Sequence, residues 1–127
     1  MTDARTSVRS QLDPLGQYAE SLEVSGADRM LFISGQVPTD DDGTAPPDFG
    51  AQCRNAWRRV LAVLEHHDMR PENLVKVTTF LRDRADRLEN SRIRQEVLGG
   101  HRPALTVVVA DLYEAEWRVE IEAIATA

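Results

Sequence analysis

The chain has 127 residues, of which 42% are hydrophobic and 28% charged, with a net charge of −6 and a pI near 5.0. This is the composition of one ordinary globular domain, covering residues 1–127. The acidic balance argues against nucleic acid or an anionic membrane as a partner, because both repel negative charge. A single cysteine, no signal-like N-terminus and no membrane-length apolar run together predict a cytoplasmic protein without disulfides.

The first third of the chain predicts strands and loops. Residues 1–11 are polar and predict a loose N-terminal segment. Residues 18–24 alternate weakly, residues 29–36 contain an apolar run, and a Ser-Gly-Ala-Asp turn lies between them, so we expect a β-hairpin. Asp40, Asp41 and Asp42 could suggest a calcium loop, but the ligand spacing and the closing glutamate of such a loop are missing. We therefore expect a solvent-exposed turn here.

Two helices and three further strands follow. Residues 48–67 are predicted to form a helix capped by Asp48, since apolar side chains recur there at helical spacing: Cys53, Ala56, Trp57, Val60, Leu61 and Leu64. Residues 74–81 are rich in β-branched residues and predict a strand. A charged helix is expected at about 84–98, ending at Gly99-Gly100. Strands at 105–109 and 117–125 complete the order β-β-α-β-α-β-β.

This order predicts an α+β fold with a mixed sheet. Two helices are too few to cover both faces of such a sheet, so they should lie together on one face. The other face would then expose a large apolar patch, to which we assign Val107 and Val109. Burial of that patch between copies of the chain predicts an oligomer.

The last strand carries two carboxylates on one side. Glu120 and Glu122 are two positions apart, or about 6–7 Å along a strand. Like charges so placed repel each other, so either a cation faces them or one of them lines a pocket. We expect desolvation to raise the pKa of Glu120 into a range useful for proton transfer, and we assign Glu122 a structural role. The alternative for Glu120 is an ion pair with Arg118 or with an arginine of a neighbouring subunit.

Several segments together resemble the RidA/YjgF family of reactive-intermediate deaminases. In chain order they read MLFISGQVP, AQCRNAWRRVLAVLE, NLVKVTTFLRD, RPALTVVVADL and VEIEAIA, within a similarity that runs from about Leu15 to Ala125. The resemblance implies a chorismate-mutase-like fold of the bacillus type, assembled as a homotrimer with small-molecule clefts between subunits. It also implies hydrolysis of an imine or enamine without a cofactor.

The resemblance assigns roles to particular positions. Glu120 corresponds to the glutamate that positions or activates the attacking water, and the main chain at Gly35 and Val107 would hold the ligand. Tyr18 and Asn90 match positions near the cleft. The alternatives are a bend or bulge at Gly35, a packing role for Tyr18 and an ordinary helix-surface role for Asn90.

Leu105 is the main departure from the family pattern. The deaminating members carry at this position an arginine that holds the substrate carboxylate through a two-pronged salt bridge. Its loss should cost about 3–5 kcal/mol, or roughly 10²- to 10³-fold or more in binding. A pocket with Leu105 and Glu120 would prefer an apolar or cationic ligand, unless Arg102 or Arg118 replaces the missing cation.

A metal site is not expected. His66 and His67 are adjacent on a helix, so their side chains point about 100° apart, and His101 is distant in sequence. Two hypotheses therefore remain open: a cofactor-free hydrolase of a labile imine or enamine, and a non-catalytic trimer that binds a small molecule.

Overall fold

A computed structural model of the protein describes residues 6–127. Its strands are β1 (Ser7–Leu12), β2 (Ala19–Ser25), β3 (Met30–Gln36), β4 (Leu74–Leu81), β5 (Ala104–Val109) and β6 (Val119–Thr126). Helix α1 spans Phe49–His66 and helix α2 spans Arg87–Leu98, with short 3-10 turns at Pro71–Asn73 and Arg84–Asp86. None of the helices within residues 6–127 is both long and apolar enough to cross a membrane.

The six strands form one mixed sheet in the order β1-β2-β5-β4-β6-β3. Strand β5 runs parallel to its neighbours β2 and β4, whereas β6 is antiparallel to both β4 and β3. The predicted α+β class and mixed sheet are therefore confirmed.

Both helices contribute to one core on one face of the sheet. Alternate residues of β6, such as Val119 and Ile121, are fully buried there, together with Trp57 of α1 and Ile93 of α2. The Asp48 side chain accepts a hydrogen bond from the Ala51 amide at 3.0 Å, which caps α1 as its sequence predicts. Because both helices pack against this core, they lie on the same face of the sheet, and they leave its other face uncovered.

The N-terminal strand β1 was not predicted. Residues 7–12 pair antiparallel with β2 instead of forming a loose segment, while residues 1–5 lie outside the described part of the chain. All six residues of β1 are exposed. Main-chain hydrogen bonds to β2 hold this strand in place, so it does not need a buried apolar face. Its sequence therefore lacks the alternation of apolar and polar residues that would have predicted a strand.

The predicted hairpin between β2 and β3 is wrong. Strand β2 pairs with β1 and β5, and β3 pairs with β6, with Phe32 opposite Ile124. The amides of Asp28 and Arg29 both donate to the Ala127 carbonyl at 2.9 Å, so the turn after β2 is hydrogen-bonded to the C-terminal residue of the chain. A local turn signal has here been overridden by pairing between distant segments.

The open face differs in composition from the predicted apolar patch. Val107 lies opposite the buried Thr79, which places it and Val109 on the helix side of the sheet, at its margin. The apolar side chains of the open face belong instead to Met30, Phe32, Phe80, Val108 and Ile124. Phe32 is 69% exposed, so an apolar patch does exist on this face.

Candidate functional site

Glu120 and Gly35 meet on the open face of the sheet. Strand β6 buries Val119 and Ile121 against the helices, and alternation turns the intervening Glu120 to the other side. Its carboxylate lies directly over Gly35 of β3: a Cβ atom placed on this glycine would be 2.9 Å from the Glu120 Cδ. Glycine is therefore required for this close approach. The position also coincides with a break in the β3–β6 register between Ile33 and Gln36, which is consistent with the bulge considered as the alternative role of Gly35.

The Glu120 carboxylate is half-buried and has no hydrogen bond or opposite charge against it within residues 6–127. Desolvation raises its pKa, and the neighbouring charge of Glu122 raises it further. Arg118 is not its partner, because the Arg118 guanidinium is bonded to Asp86 Oδ1 at 2.7 Å on the helix side. Within one chain the ion-pair alternative with Arg118 therefore does not apply.

Glu122 occupies a more open part of the same face. It is exposed, lies opposite Thr78 in β4 and borders a shallow depression of about 240 Å³ together with Lys76. The Lys76 ammonium donates to the Thr106 hydroxyl at 2.7 Å. This exposed setting, on the same strand and face, makes Glu122 a matched comparison for Glu120.

Tyr18 and Leu105 are brought together on the opposite side of the sheet. Leu105 pairs in register with the buried Val77 and therefore faces the helices, where it contributes with Tyr18 to a narrow pocket beside α2. Glu120 pairs with Phe80 and faces the open side. A single chain consequently does not place Leu105 and Glu120 in one pocket, although the sequence had suggested that they share one.

The main chain of Val107 lies at a partly open strand edge. Strands β2 and β5 meet at the pair Ala19–Ala104, where the Ala19 amide donates to the Pro103 carbonyl at 3.0 Å. Main-chain groups of successive residues alternate between the two sides of a strand. The N–H and C=O of Val107 therefore point toward the β2 side of β5, beyond the one residue pair that joins β2 to β5. They remain available to a ligand or to another chain.

Asn90 is directed into the protein and not toward a cleft. It is 2% exposed, and its Oδ1 accepts a hydrogen bond from the Cys53 thiol at 3.7 Å. Burial raises the pKa of Cys53 to about 12, so this thiol stays protonated and is a poor nucleophile. In this position Asn90 links α2 to α1, and it does not reach the surface of the described chain.

Arg102 lies beside Tyr18 and Leu105 but is not near Glu120. Its Nε donates to the Gly16 carbonyl at 3.0 Å, and its Nη1 donates to the Gly99 carbonyl at 2.6 Å. Arg102 thus joins the loop before β2 to the end of α2. Neither Arg102 nor Arg118 supplies a cation next to Glu120 within one chain.

Arg94 is a member of this pocket that sequence reasoning missed. It is 5% exposed and lines the pocket with Tyr18, Arg102 and Leu105. A signal was present in the sequence, because Asn90, Arg94 and Leu98 recur every four residues and so share one face of α2.

The described residues contain no group of three or more His, Cys, Asp or Glu side chains arranged to hold a metal ion. His101 is occupied by the main chain, since its Nε2 lies 2.7 Å from the Leu74 carbonyl oxygen.

Comparison with known proteins agrees with this fold. A family model described as Endoribonuclease L-PSP matches residues 8–127. The chain belongs to this family, which is also called RidA/YjgF. A RutC family protein from Aquifex aeolicus is 34% identical over 116 residues, covering 87% of this chain and 90% of that protein. The RidA/YjgF member named 2-iminobutanoate/2-iminopropanoate deaminase in Escherichia coli K12 is 28% identical over 115 residues, with 87% and 88% coverage.

A solved RidA/YjgF structure shows the same architecture. The Rid family protein YyfB from Yersinia pestis superposes with a TM-score of 0.81 at 22% identity, over 94% of this chain and 98% of that protein. At this level of identity the likeness concerns the fold. It confirms the six-stranded sheet with two helices as the architecture of the family.

Proposed function

We propose that this protein hydrolyses an imine or enamine of a small metabolite, at a site that forms between the subunits of a homotrimer. The observation that carries the proposal is the Glu120 carboxylate, which is half-buried, has a raised pKa and has no partner within residues 6–127. Family membership and the named activity of the Escherichia coli relative support this reaction class.

The reaction requires a proton acceptor next to a water molecule. Glu120 accepts a proton from water as the oxygen attacks the carbon of the protonated imine, which gives a neutral carbinolamine. The same carboxyl group then donates this proton to the nitrogen. The C–N bond breaks as the hydroxyl oxygen forms the carbonyl double bond, the hydroxyl proton passes to Glu120 and from there to the departing ammonia, and the carboxylate is regenerated. A raised pKa brings the carboxyl closer to balance between these two roles. An imine is already activated, so placement and proton transfer are sufficient without a cofactor.

A complete site requires a second copy of the chain. The Glu120 carboxylate lies above Gly35 on β3, whereas the free edge at Val107 belongs to β5. Strands β4 and β6 lie between them, so the separation is three strand spacings, or about 14 Å. A small ligand spans less than this. Contact between the β5 edge of one subunit and the Glu120 side of the next would be heterologous, and such a contact forms a ring when the rotation between copies closes. The family resemblance implies a ring of three subunits.

Leu105 restricts the substrates that we propose. Without the arginine of the deaminating members, a free carboxylate has no cation at this position. We expect ammonia release from 2-aminoacrylate to be about 10²- to 10³-fold slower than in an arginine-bearing relative. Substrates with an apolar or cationic end should be favoured. We do not extend the ribonuclease activity in the family description to this chain, because its net charge is −6.

Glu120→Gln tests the proposal, with Glu122→Gln as the matched control on the same strand and face. Amino-acid oxidases and dehydratases would generate a panel of imines and enamines, and ammonia release would be followed with each variant. We expect Glu120→Gln to slow hydrolysis of the best substrate by about 10²-fold or more, and Glu122→Gln to change it by less than about threefold. Equal rates for wild type and Glu120→Gln across the panel would refute the hydrolase.

Non-catalytic binding is the second candidate, and Leu105 is the observation that favours it. Loss of the carboxylate-holding arginine would remove deaminase turnover and leave the cleft intact. Saturable binding of an imine analogue, together with imine hydrolysis no faster than in the absence of protein, would identify this protein as a binding trimer.

A further inference from the structure

Gln52 is a buried amide that joins two loops at the end of the sheet where Glu120 lies. It is the fourth residue of α1 and is 1% exposed. Its Nε2 atom donates to the Pro46 carbonyl at 2.9 Å and to the Glu116 carbonyl at 3.0 Å. Its Oε1 atom accepts from the Arg118 amide at 2.7 Å. Both donor hydrogens and the oxygen of the amide are therefore used, and all three partners are main-chain groups outside α1.

These hydrogen bonds connect the loop that follows β3 with the segment that precedes β6. Pro46 belongs to the first, residues 37–48, whereas Glu116 and Arg118 belong to the second. A buried main-chain group without a partner is costly, so the three groups favour the one arrangement in which Gln52 reaches all of them. The covered side of the sheet thus fixes how the chain enters β6.

Strand β3 gives less support to β6 at this end. Within residues 6–127 its pairing with β6 is broken after Ile33 and ends at the pair Gln36–Ile121, one residue short of Glu120. On its other side Glu120 pairs with Phe80 of β4. The start of β6 is therefore held by one neighbouring strand and by the Gln52 amide.

We propose that Gln52 is a positioning residue for Glu120, because it fixes the start of β6 and so keeps the carboxylate over Gly35. Arg118 precedes Glu120 by two positions, and both of its main-chain groups are bonded: the amide to Gln52, and the carbonyl to the Arg82 amide at 3.0 Å. Release of the Arg118 amide would let the first residues of β6 shift, and the Glu120 side chain with them. The effect on catalysis rests on the proposed hydrolysis, whereas the placement of the carboxylate does not.

Asn73 provides a matched control at the opposite end of β6. It is 7% exposed, its Nδ2 atom donates to the Thr126 carbonyl at 3.0 Å, and its Oδ1 atom accepts from the Arg70 amide at 2.8 Å. Gln52 and Asn73 are thus both buried amides that hold the main chain at one end of the same strand. Replacing either should lower stability, whereas only the replacement of Gln52 should alter the surroundings of Glu120.

The pKa of Glu120 reports the position of its carboxylate and can be measured without a substrate. Carbon-13 NMR of the glutamate carboxyl groups would follow the titration, with Glu120→Gln to assign the signal. Gln52→Met keeps the length of the side chain and removes its hydrogen bonds. Because the shifted carboxylate gains water, we expect the raised pKa of Glu120 to fall toward its ordinary value of 4.5 in this variant. In Asn73→Leu the pKa of Glu120 should equal that of the wild type.

Kinetics would measure the consequence for the proposed reaction. We expect Gln52→Met to lower kcat roughly tenfold and to change KM less than about threefold, because a displaced carboxylate no longer holds the attacking water. Asn73→Leu should keep the kcat of the wild type, although urea unfolds both variants more easily. If Gln52→Met does not fold, Gln52→Asn takes its place, since it withdraws the amide by one methylene and should act in the same direction.

Three outcomes would overturn this role of Gln52: an unchanged pKa of Glu120 in a folded Gln52 variant, an equal fall of that pKa in Asn73→Leu, or a loss of rate that lies only in KM. A wild type that hydrolyses none of the imines would refute the proposed function instead. The comparison of pKa values would still decide whether Gln52 positions Glu120.

Discussion

At the scale of single residues, the close contact between Glu120 and Gly35 determines what the open face can do. A carboxylate that is partly removed from water and next to Glu122 binds its proton more tightly in the folded chain than in the unfolded one. The same property that suits proton transfer therefore makes the ionised side chain unfavourable for stability at neutral pH.

Glu120→Gln should stabilise the protein at pH 7. Because the pKa of Glu120 is raised above its ordinary value of 4.5, this group favours the folded state at low pH and loses that contribution as pH rises through the folded-state pKa. The gain at pH 7, on the order of a few tenths of a kcal/mol after allowance for solvent screening, should disappear below about pH 4. Urea unfolding at both pH values would measure it, with Glu20→Gln on the exposed strand β2 as the control. A gain that is the same at both pH values would contradict this account.

Gly35→Ala should impair the reaction more than it impairs folding. The three atoms nearest to an added Cβ all belong to the end of the flexible Glu120 side chain, so we expect the carboxylate to move aside at a cost below about 1 kcal/mol. The displaced carboxylate would no longer hold the water, and we expect a loss of roughly tenfold or more in kcat. In a Glu120→Gln background the Gly35→Ala substitution should have little further effect on the rate. If the rate loss of the double variant instead equals the product of the two single losses, Gly35 and Glu120 act independently and this account is wrong.

At the scale of elements, the sequence was informative wherever burial follows a regular period. Trp57 and its neighbours on α1, and the alternation of β4 and β6, predicted those elements to within two residues at each end. Strand β1 has no buried face, and the partners of β2 and β3 are decided by contacts between distant segments. Neither the exposed strand β1 nor these long-range pairings produce a pattern in the local sequence from which they could be predicted.

The candidate site was predicted unevenly for the same reason. The alternation along β6 and the glycine at the end of β3 are local signals, and they indicated the face of Glu120 and the close approach at Gly35. The face of Leu105 depends on its pairing with Val77, which is 28 residues earlier in the chain, and the burial of Arg94 depends on how α2 packs. Single-chain sequence reasoning could not place either side chain.

Arg118 should behave as a structural residue at the start of β6. Its guanidinium is bonded to the buried Asp86 at 2.7 Å and to the Pro47 carbonyl at 3.3 Å, and it lies 5.5 Å from the ring centre of Phe49. Arg118→Gln would leave Asp86 without its cation, and we expect a loss of about 1–3 kcal/mol in the free energy of unfolding. Chemical denaturation would measure this loss.

Arg58→Gln is the control for this measurement, because Arg58 makes an exposed pair with Asp41 at 3.5 Å and should change stability by less than about 0.5 kcal/mol. Unchanged stability of Arg118→Gln with a selective loss of ligand binding would show instead that Arg118 acts in the cleft.

At the scale of the whole molecule, the sheet has one covered face and one open face that need different explanations. The helices cover the first face. The second presents Phe32, Met30 and Val108 at 69%, 63% and 39% exposure, beside the carboxylates of Glu120 and Glu122. The proposed assembly would bury these apolar groups and further desolvate Glu120, so one surface would then serve both assembly and the proposed catalysis.

Under the proposed assembly and reaction, Phe32→Glu should separate the subunits and abolish hydrolysis together. The new charge would stand on the open face, where burial against a neighbour would leave it unpaired. Light scattering should find a trimer for the wild type and a folded monomer for the variant. Leu88→Glu is the control, since Leu88 is 75% exposed on α2, away from this face, and should leave both assembly and rate unchanged. A monomeric Phe32→Glu variant with full activity would mean that one chain contains the whole site, because β5 and β3 of the same chain would then suffice despite the two strands between them.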